Sequence, residues 1–219
     1  MRTKIISFDA DGTVVNNDFV NEFWFKKLPE LYANKEGIGT GEAREILTSH
    51  YDRIGDEDLR WYQPRYWFDR FDLPGTAEEV ITQIKENHDL RLYDDAVEVI
   101  EGLSGEYRLI VVSNSPREFL DFSLKGVSDR FERIFSCVSD FGEVKKHRGV
   151  YEKVADLLSA QPGMFLHVGD HWKFDYQVPR EIGMKTAFID RGDGEVEDRD
   201  DGVITDLREI TKVLEGSST

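Results

Sequence analysis

The sequence predicts an α/β protein built on a parallel sheet, with a small helical module inserted after the first strand. Three observations carry that reading. Short apolar runs alternate with helix-like segments over the C-terminal part of the chain. Most of those runs lack the in–out alternation of a half-exposed strand, as expected of parallel strands covered on both faces. The long stretch between the first and second runs shows only helical spacing.

In chain order, strands are expected at 4–8, 107–112, 133–138, 164–168 and 185–189, with a weaker sixth at 202–204. Helices are expected between them at 94–103, 118–124, 150–159 and 176–182, which implies right-handed crossovers in one sheet. Within the insertion, helical spacing falls at 19–32, 41–54 and 77–87. Gly37, Gly39, Gly41, Pro64 and the Pro74-Gly75 pair punctuate it. The expected division is a core of residues 1–15 and 92–219 and a helical module of residues 16–91. The run 191–201, rich in Asp, Glu and Gly, is expected to form a solvated loop.

Bulk composition narrows the partners. The 219 residues suffice for one substantial core with a smaller module, and a formal charge of -16 repels nucleic acid and anionic membranes. No apolar run approaches the roughly 20 residues of a membrane span, and the N-terminal apolar run is too short for a signal peptide. A single cysteine, Cys137, excludes an internal disulfide and sits in an apolar context that suits a buried thiol. The chain is expected to be cytoplasmic. An anionic substrate would need a local positive patch inside this negative field.

Ligands of open parallel sheets bind beyond the carboxyl ends of the strands. The first expected strand is followed by Asp9-Ala10-Asp11-Gly12-Thr13, the second by Ser113-Asn114-Ser115, and the fourth by Gly169-Asp170 with Asp175 five residues on. Lys145 and Lys146 precede the helix expected near Val150. Asp9 and Asp11, two apart on an extended strand end, leave the same face and repel unless a cation or proton intervenes. A single Asp at a strand end often caps a turn, but four such acids at three strand ends point to a hard divalent cation. Mg²⁺ favours that set of carboxylates together with water and a phosphate. A lysine, the Ser113 hydroxyl and backbone N–H groups around Ala10 to Gly12 would then face the oxygens of a phosphoryl group. Carboxylates serve as nucleophiles in such chemistry.

These segments resemble the four motifs of the haloacid dehalogenase superfamily, in the family's order. Asp9-Ala10-Asp11-Gly12-Thr13 is similar to the DxDGT motif at the end of a first strand. Ser113 is similar to the second motif, and Gly169-Asp170 through Asp175 to the GDxxxxD fourth. The third is looser. The segment Lys145-Lys146-His147-Arg148-Gly149-Val150-Tyr151 lacks the family's prolines and acid. Counting back from Tyr151 favours Lys145 over Lys146 as its lysine. The resemblance implies a Rossmann-like core with a cap domain, and a magnesium-dependent phosphatase of small phosphorylated metabolites. It implies Asp9 as the nucleophile that becomes an aspartyl-phosphate and Asp11 as the acid and base. Ser113 and Lys145 would hold phosphoryl oxygens, with Asn114 and Ala10 beside them. The metal would be held by Asp9, by the backbone carbonyl of Asp11 and by Asp170, with Asp175 helping directly or through water. Thr13 would support the loop.

Asp11 favours phosphoryl transfer over the dehalogenase branch, which does not keep this acid because a halide leaving group needs no proton. A phosphomutase or phosphonate hydrolase on the same scaffold, and a non-catalytic binding module, are the alternatives. The aromatic residues of the insertion, among them Phe23, Trp24, Trp61 and Trp67, read as the core of a helical bundle before they read as a pocket. Arg60 and Arg65 read as solvated, and Gly37 to Gly41 as a turn. His167 reads as a satisfied core histidine, while His171, next to Asp170, is a neighbour of the site. His50, His88 and His147 show no zinc-ligand spacing.

Overall fold

A computed structural model of the chain describes residues 3–89, 91–145, 147–192 and 202–215, with Glu215 described by its backbone alone. Six strands form one sheet: β1 (Ile5–Phe8), β2 (Arg108–Ser113), β3 (Arg133–Ser136), β4 (Phe165–Gly169), β5 (Lys185–Ile189) and β6 (Val203–Ile204). Their spatial order is β3-β2-β1-β4-β5-β6, and every pairing is parallel. β1 is central and buried along its whole length, which is why Ile5-Ile6-Ser7-Phe8 carries no exposed polar position. Phe8 lies level with Val111 of β2 and Val168 of β4. The residues that follow these three strands therefore emerge together at one edge.

Contacts divide the chain into two compact units, residues 17–91 and residues 1–16 with 92–219. The first holds α1 (Asp18–Glu22), α2 (Leu28–Glu36), α3 (Thr40–Ile54), α4 (Pro64–Phe71) and α5 (Ala77–Asn87). A π-helical turn, Phe23–Lys27, joins α1 to α2 without a break. Gly37, left-handed at φ 69°, ends α2, and extended Gly39 starts α3, so the glycine run is a turn. Phe23, Trp24, Leu47, Tyr51 and Trp67 are buried as the core of this bundle, with Tyr51 edge-on to Trp67 and its hydroxyl on the Trp24 carbonyl. Arg60 and Arg65 are exposed and paired to Asp58 and Glu78. A capping box of Thr76 and Glu79 opens α5.

The second unit adds α6 (Asp94–Leu103), α7 (Arg117–Ser123), α8 (Arg148–Leu157), α9 (Val178–Arg180) and α10 (Ile210–Glu215). One sheet face packs Ile6, Phe8, Leu109, Val111 and Leu166 with Ala96 and Ile100 of α6 and Ile210 of α10. The other packs Ile5, Ile110, Val112 and Phe165 with Val150, Tyr151 and Val154 of α8.

Three expectations need correction. The strand expected at 133–138 stops at Ser136, whose hydroxyl accepts the Ser139 N–H and opens a π-helical turn over Cys137–Phe141. The helix expected at 176–182 is a π-helical turn, Trp172–Gln177, followed by the single turn of α9. Helices α4 and α10 lie where none was expected. Pro64 occupies the first turn of α4, where its missing N–H costs nothing.

The two-sided burial of the sheet makes a large difference between positions of similar chemistry. Ile110→Ala, at a site with no exposed surface, is expected to cost about 2–5 kcal/mol. Leu157→Ala, 60% exposed on α8, is expected to stay within about 0.5 kcal/mol of the parent. Urea denaturation of the two variants checks both.

Candidate active site

Asp9 leaves the end of β1 with its N–H on the Val168 carbonyl at 2.8 Å, and the chain then folds back tightly. The Ala10 carbonyl accepts the N–H groups of Thr13, Val14 and Val15 at 3.2, 2.8 and 3.0 Å, and Gly12 donates to Val15 at 2.8 Å. Gly12 sits at φ 77°, and a Cβ there would fall inside the Asp170 carboxylate. Thr13 is fully buried, with its hydroxyl 3.4 Å from Asp170 Oδ1, so it ties the turn to the end of β4.

Ser113 ends β2 and accepts the Ser115 N–H on its Oγ at 3.1 Å, which leaves the hydroxyl proton free to donate. The Asn114 Oδ1 accepts the Lys145 N–H at 2.9 Å. Lys145 is 2% exposed, and its ammonium donates to Asp9 Oδ1 at 2.5 Å, Asp175 Oδ1 at 2.7 Å and the Val112 carbonyl at 3.0 Å. All three protons are used. Lys146, the other lysine of the third motif, lies outside the described residues.

Past β4, the π-helical turn brings Asp175 back over Gly169, where a Cβ would collide with the Asp175 side chain. Asp175 is fully buried and saturated. Its Oδ1 meets Lys145, His167 Nε2 at 3.0 Å and the Tyr151 hydroxyl at 3.4 Å, and its Oδ2 accepts the His171 N–H at 3.1 Å. Ser7 holds His167 Nδ1 at 2.8 Å, and Tyr151 donates to the Phe174 carbonyl at 2.7 Å. His167 is thus a satisfied core histidine, and one that touches the site. His171 contributes its backbone, while its ring accepts the Phe174 N–H and stacks on Phe174. Tyr151 entered the sequence reading only as a landmark for counting. No spacing signal shows that its hydroxyl reaches across to Asp175.

Among the described residues, the charges do not balance. Four carboxylates, Asp9, Asp11, Asp170 and Asp175, surround one ammonium. Burial works against ionised Asp175, but Lys145 and His167 outweigh it and hold its carboxyl well below the usual range. Burial likewise opposes a charged Lys145, and Asp175 and Asp9 overcome it, raising its pKa. Among the described residues, no cation touches Asp11. Burial and the Asp9 charge raise it to about 7, against a hydrogen bond from Ser115. Burial, then Asp9 and Asp175, push Asp170 well up. Carboxylate oxygens of Asp9, Asp170 and Asp175 lie within 4.8 Å of one another. This all-oxygen donor set with surplus negative charge fits a hard divalent cation. Cys137 is buried, its thiol pushed up to about 12 by that burial, and is no nucleophile.

Gly12→Ala is expected to cost about 1–3 kcal/mol in backbone strain and to displace Asp170, lowering the melting temperature and abolishing any rise on adding Mg²⁺. Gly149→Ala, in α8 with open space around its Cα, is expected to add about 0.4–1 kcal/mol instead. Thermal denaturation of both variants with and without Mg²⁺ is the check.

Comparison with known proteins places this geometry. The family model for haloacid dehalogenase-like hydrolases matches residues 3–183. The chain is 26% identical over 168 residues to the GMP/IMP nucleotidase YrfG of Escherichia coli, covering 75% of this chain and 73% of that protein. It is 26% identical over 198 residues to the pyrophosphatase PpaX of Bacillus cereus, covering 86% and 84%. Among solved structures, a HAD phosphatase from Thermococcus onnurineus superimposes with a TM-score of 0.83 at 25% identity, covering 99% of each chain. With most of its length under that family model and the four motif segments gathered at one sheet edge, the chain belongs to the haloacid dehalogenase-like hydrolases.

Proposed function

We propose that this hydrolase is a Mg²⁺-dependent phosphatase of small phosphorylated metabolites, acting through an aspartyl-phosphate on Asp9. The observation that carries this reading is the pairing of Asp9 with a buried Lys145 inside a carboxylate cluster with too few cations. Asp9 and Asp170 would hold the metal, with the backbone carbonyl of Asp11. Saturation of Asp175 by protein donors supports an indirect role for it, aiming Lys145. When bound, the ion supplies positive charge for the phosphoryl oxygens and for ionised Asp9.

The chain's own groups do the rest. An Asp9 oxygen attacks phosphorus in line, and the P–O bond to the leaving group breaks. Asp11, whose proton is held by burial and the Asp9 charge, gives it to the departing oxygen. It then takes a proton from the water that cleaves the aspartyl-phosphate, which frees Asp9 and inorganic phosphate. Lys145, its three protons already placed, contributes its charge beside Asp9, the Ser113 hydroxyl orients the transferring oxygens, and the N–H groups of Ala10 and Asp11 add donors. Asn114 keeps Lys145 in register through its backbone. Asp11 favours phosphate esters over carbon–halogen bonds, because an alkoxide leaving group needs the proton. Relatives named for GMP/IMP and for pyrophosphate support a small phosphorylated substrate.

Hydrolysis of para-nitrophenyl phosphate tests the proposal. Release is expected with Mg²⁺ and not with chelator, and Asp9→Asn is expected to lose at least about a thousandfold in kcat. Undiminished turnover in Asp9→Asn would remove Asp9 from its role. Lys145→Met, which strands Asp9 and Asp175 as unpaired buried charges, is expected to destabilise the fold by about 3–5 kcal/mol in urea titrations.

A further inference from the structure

Arg191 stands just past the end of β5, on the same sheet edge as the site, at the start of a run whose composition reads as a solvated loop. Residues 193–201 of that run lie outside the described residues, but Arg191 itself is built into the core, its side chain 13% exposed. One guanidinium nitrogen donates to Asp95 Oδ2 at 2.7 Å, another donates to the Thr13 carbonyl at 2.8 Å, and the plane lies 3.8 Å from the centre of the Tyr93 ring. Asp95, at the first turn of α6, also accepts the Leu207 N–H at 2.8 Å. Tyr93 in turn donates its N–H to the Val14 carbonyl at 3.0 Å, and Val15 bridges to Leu92.

We infer that Arg191 is a positioning residue for the nucleophile loop, clamping the Thr13 carbonyl against Asp95 and Tyr93 so that Asp9 and Asp170 keep their alignment. The physical case is one of leverage. Thr13 follows the tight turn at Gly12, and its hydroxyl faces Asp170, so a shift of Thr13 moves both ends of the carboxylate cluster. The turn's own bonds run to the Ala10 and Val15 carbonyls and leave the Thr13 carbonyl to Arg191. The outward Thr13 carbonyl is fixed by Arg191, whose planar fork alone can bridge a carboxylate and a carbonyl while lying on a ring. The same contacts hold Leu92 and Tyr93, the chain returning from the helical insertion, beside the outgoing Val14 and Val15. A displacement of about 1 Å in a reacting group costs up to about a hundredfold in rate.

This inference rests on Asp9 being the nucleophile of the proposed reaction, and the test separates the two. Arg191→Ala and Arg191→Lys are compared with Arg208→Ala, which removes surface pairs to Glu98 and Asp206 and leaves the loop alone. Amide exchange at Gly12, Val14 and Tyr93 is expected to accelerate in Arg191→Ala. On para-nitrophenyl phosphate, kcat is expected to fall about ten- to a hundredfold, while KM moves less than about threefold. Non-denaturing guanidinium should restore part of both, Arg191→Lys should restore neither, and Arg208→Ala should match wild type. Unchanged exchange and kcat in Arg191→Ala would overturn the inference, as would an equal loss in Arg208→Ala. If wild type itself releases no nitrophenolate with Mg²⁺, the phosphatase reading falls, and amide exchange alone decides the clamp.

Discussion

One buried ammonium holds this site together. Lys145 is buried away from solvent, and it spends its three protons on Asp9, Asp175 and the end of β2. A lone buried charge would cost several kcal/mol, and so would each of its carboxylate partners. Together they are tolerable only at hydrogen-bonding distance. That demand explains the local sequence. Gly12 and Gly169 are glycine because any side chain would displace Asp170 or Asp175 from the cluster. The interaction is therefore weak as an argument for stability and strong as one for geometry. It forces three separate strand ends to meet at a fixed spacing.

The irregular helical turns serve the same end. Among the described residues, two π-helical turns follow strands at the site edge, Cys137–Phe141 after β3 and Trp172–Gln177 after β4. The Asp175 N–H closes an α-type turn on the His171 carbonyl at 2.8 Å, and its carboxylate accepts the His171 N–H. The loop is closed on itself by the residue that the cluster needs. Strand β3 ends early for a related reason: the Ser136 hydroxyl caps the turn and donates to the Ser115 carbonyl, fixing the segment that carries Ser113 and Asn114.

What the sequence makes legible follows from the kind of signal involved. Buried parallel strands leave continuous apolar runs, so β1, β2, β4 and β5 are read to within a residue. The acids stand out because they follow those runs. Helix α4 is hidden because Pro64 looks like punctuation and the helix is only eight residues long, although Arg65, Asp69 and Arg70 lie on its exposed face and Trp67, Phe68 and Phe71 on its buried one. Tyr151 and His167 were legible as positions but not as partners of Asp175. Their hydroxyl and ring come from different elements, and only the packing of α8 against β4 brings them together. Arg191 was hidden by its neighbours: an acidic, glycine-rich run reads as solvent-exposed, and composition cannot mark which residue of it turns inward. Long-range pairing of single polar groups leaves no periodic trace.

The acidic surface sets a last constraint on how the site recognises a phosphate. With Mg²⁺ bound as proposed, ionised Asp9, Asp170 and Asp175 would be balanced by Lys145 and the ion, and Asp11 would be neutral. The site would then carry no net positive charge, inside a chain whose formal charge is -16. Long-range attraction cannot draw a phosphate into such a place. At physiological salt, fields beyond about 8 Å are screened in any case. Recognition must come instead at contact, from donors already aimed: the Ser113 hydroxyl and the N–H groups of Ala10 and Asp11, with the Lys145 charge beside Asp9. Donors fixed in place lose little entropy when the substrate arrives, and they act most strongly on charge that develops during transfer. A site of that kind sacrifices steering for alignment, so the rigidity of the loop matters more to it than the sign of its surface.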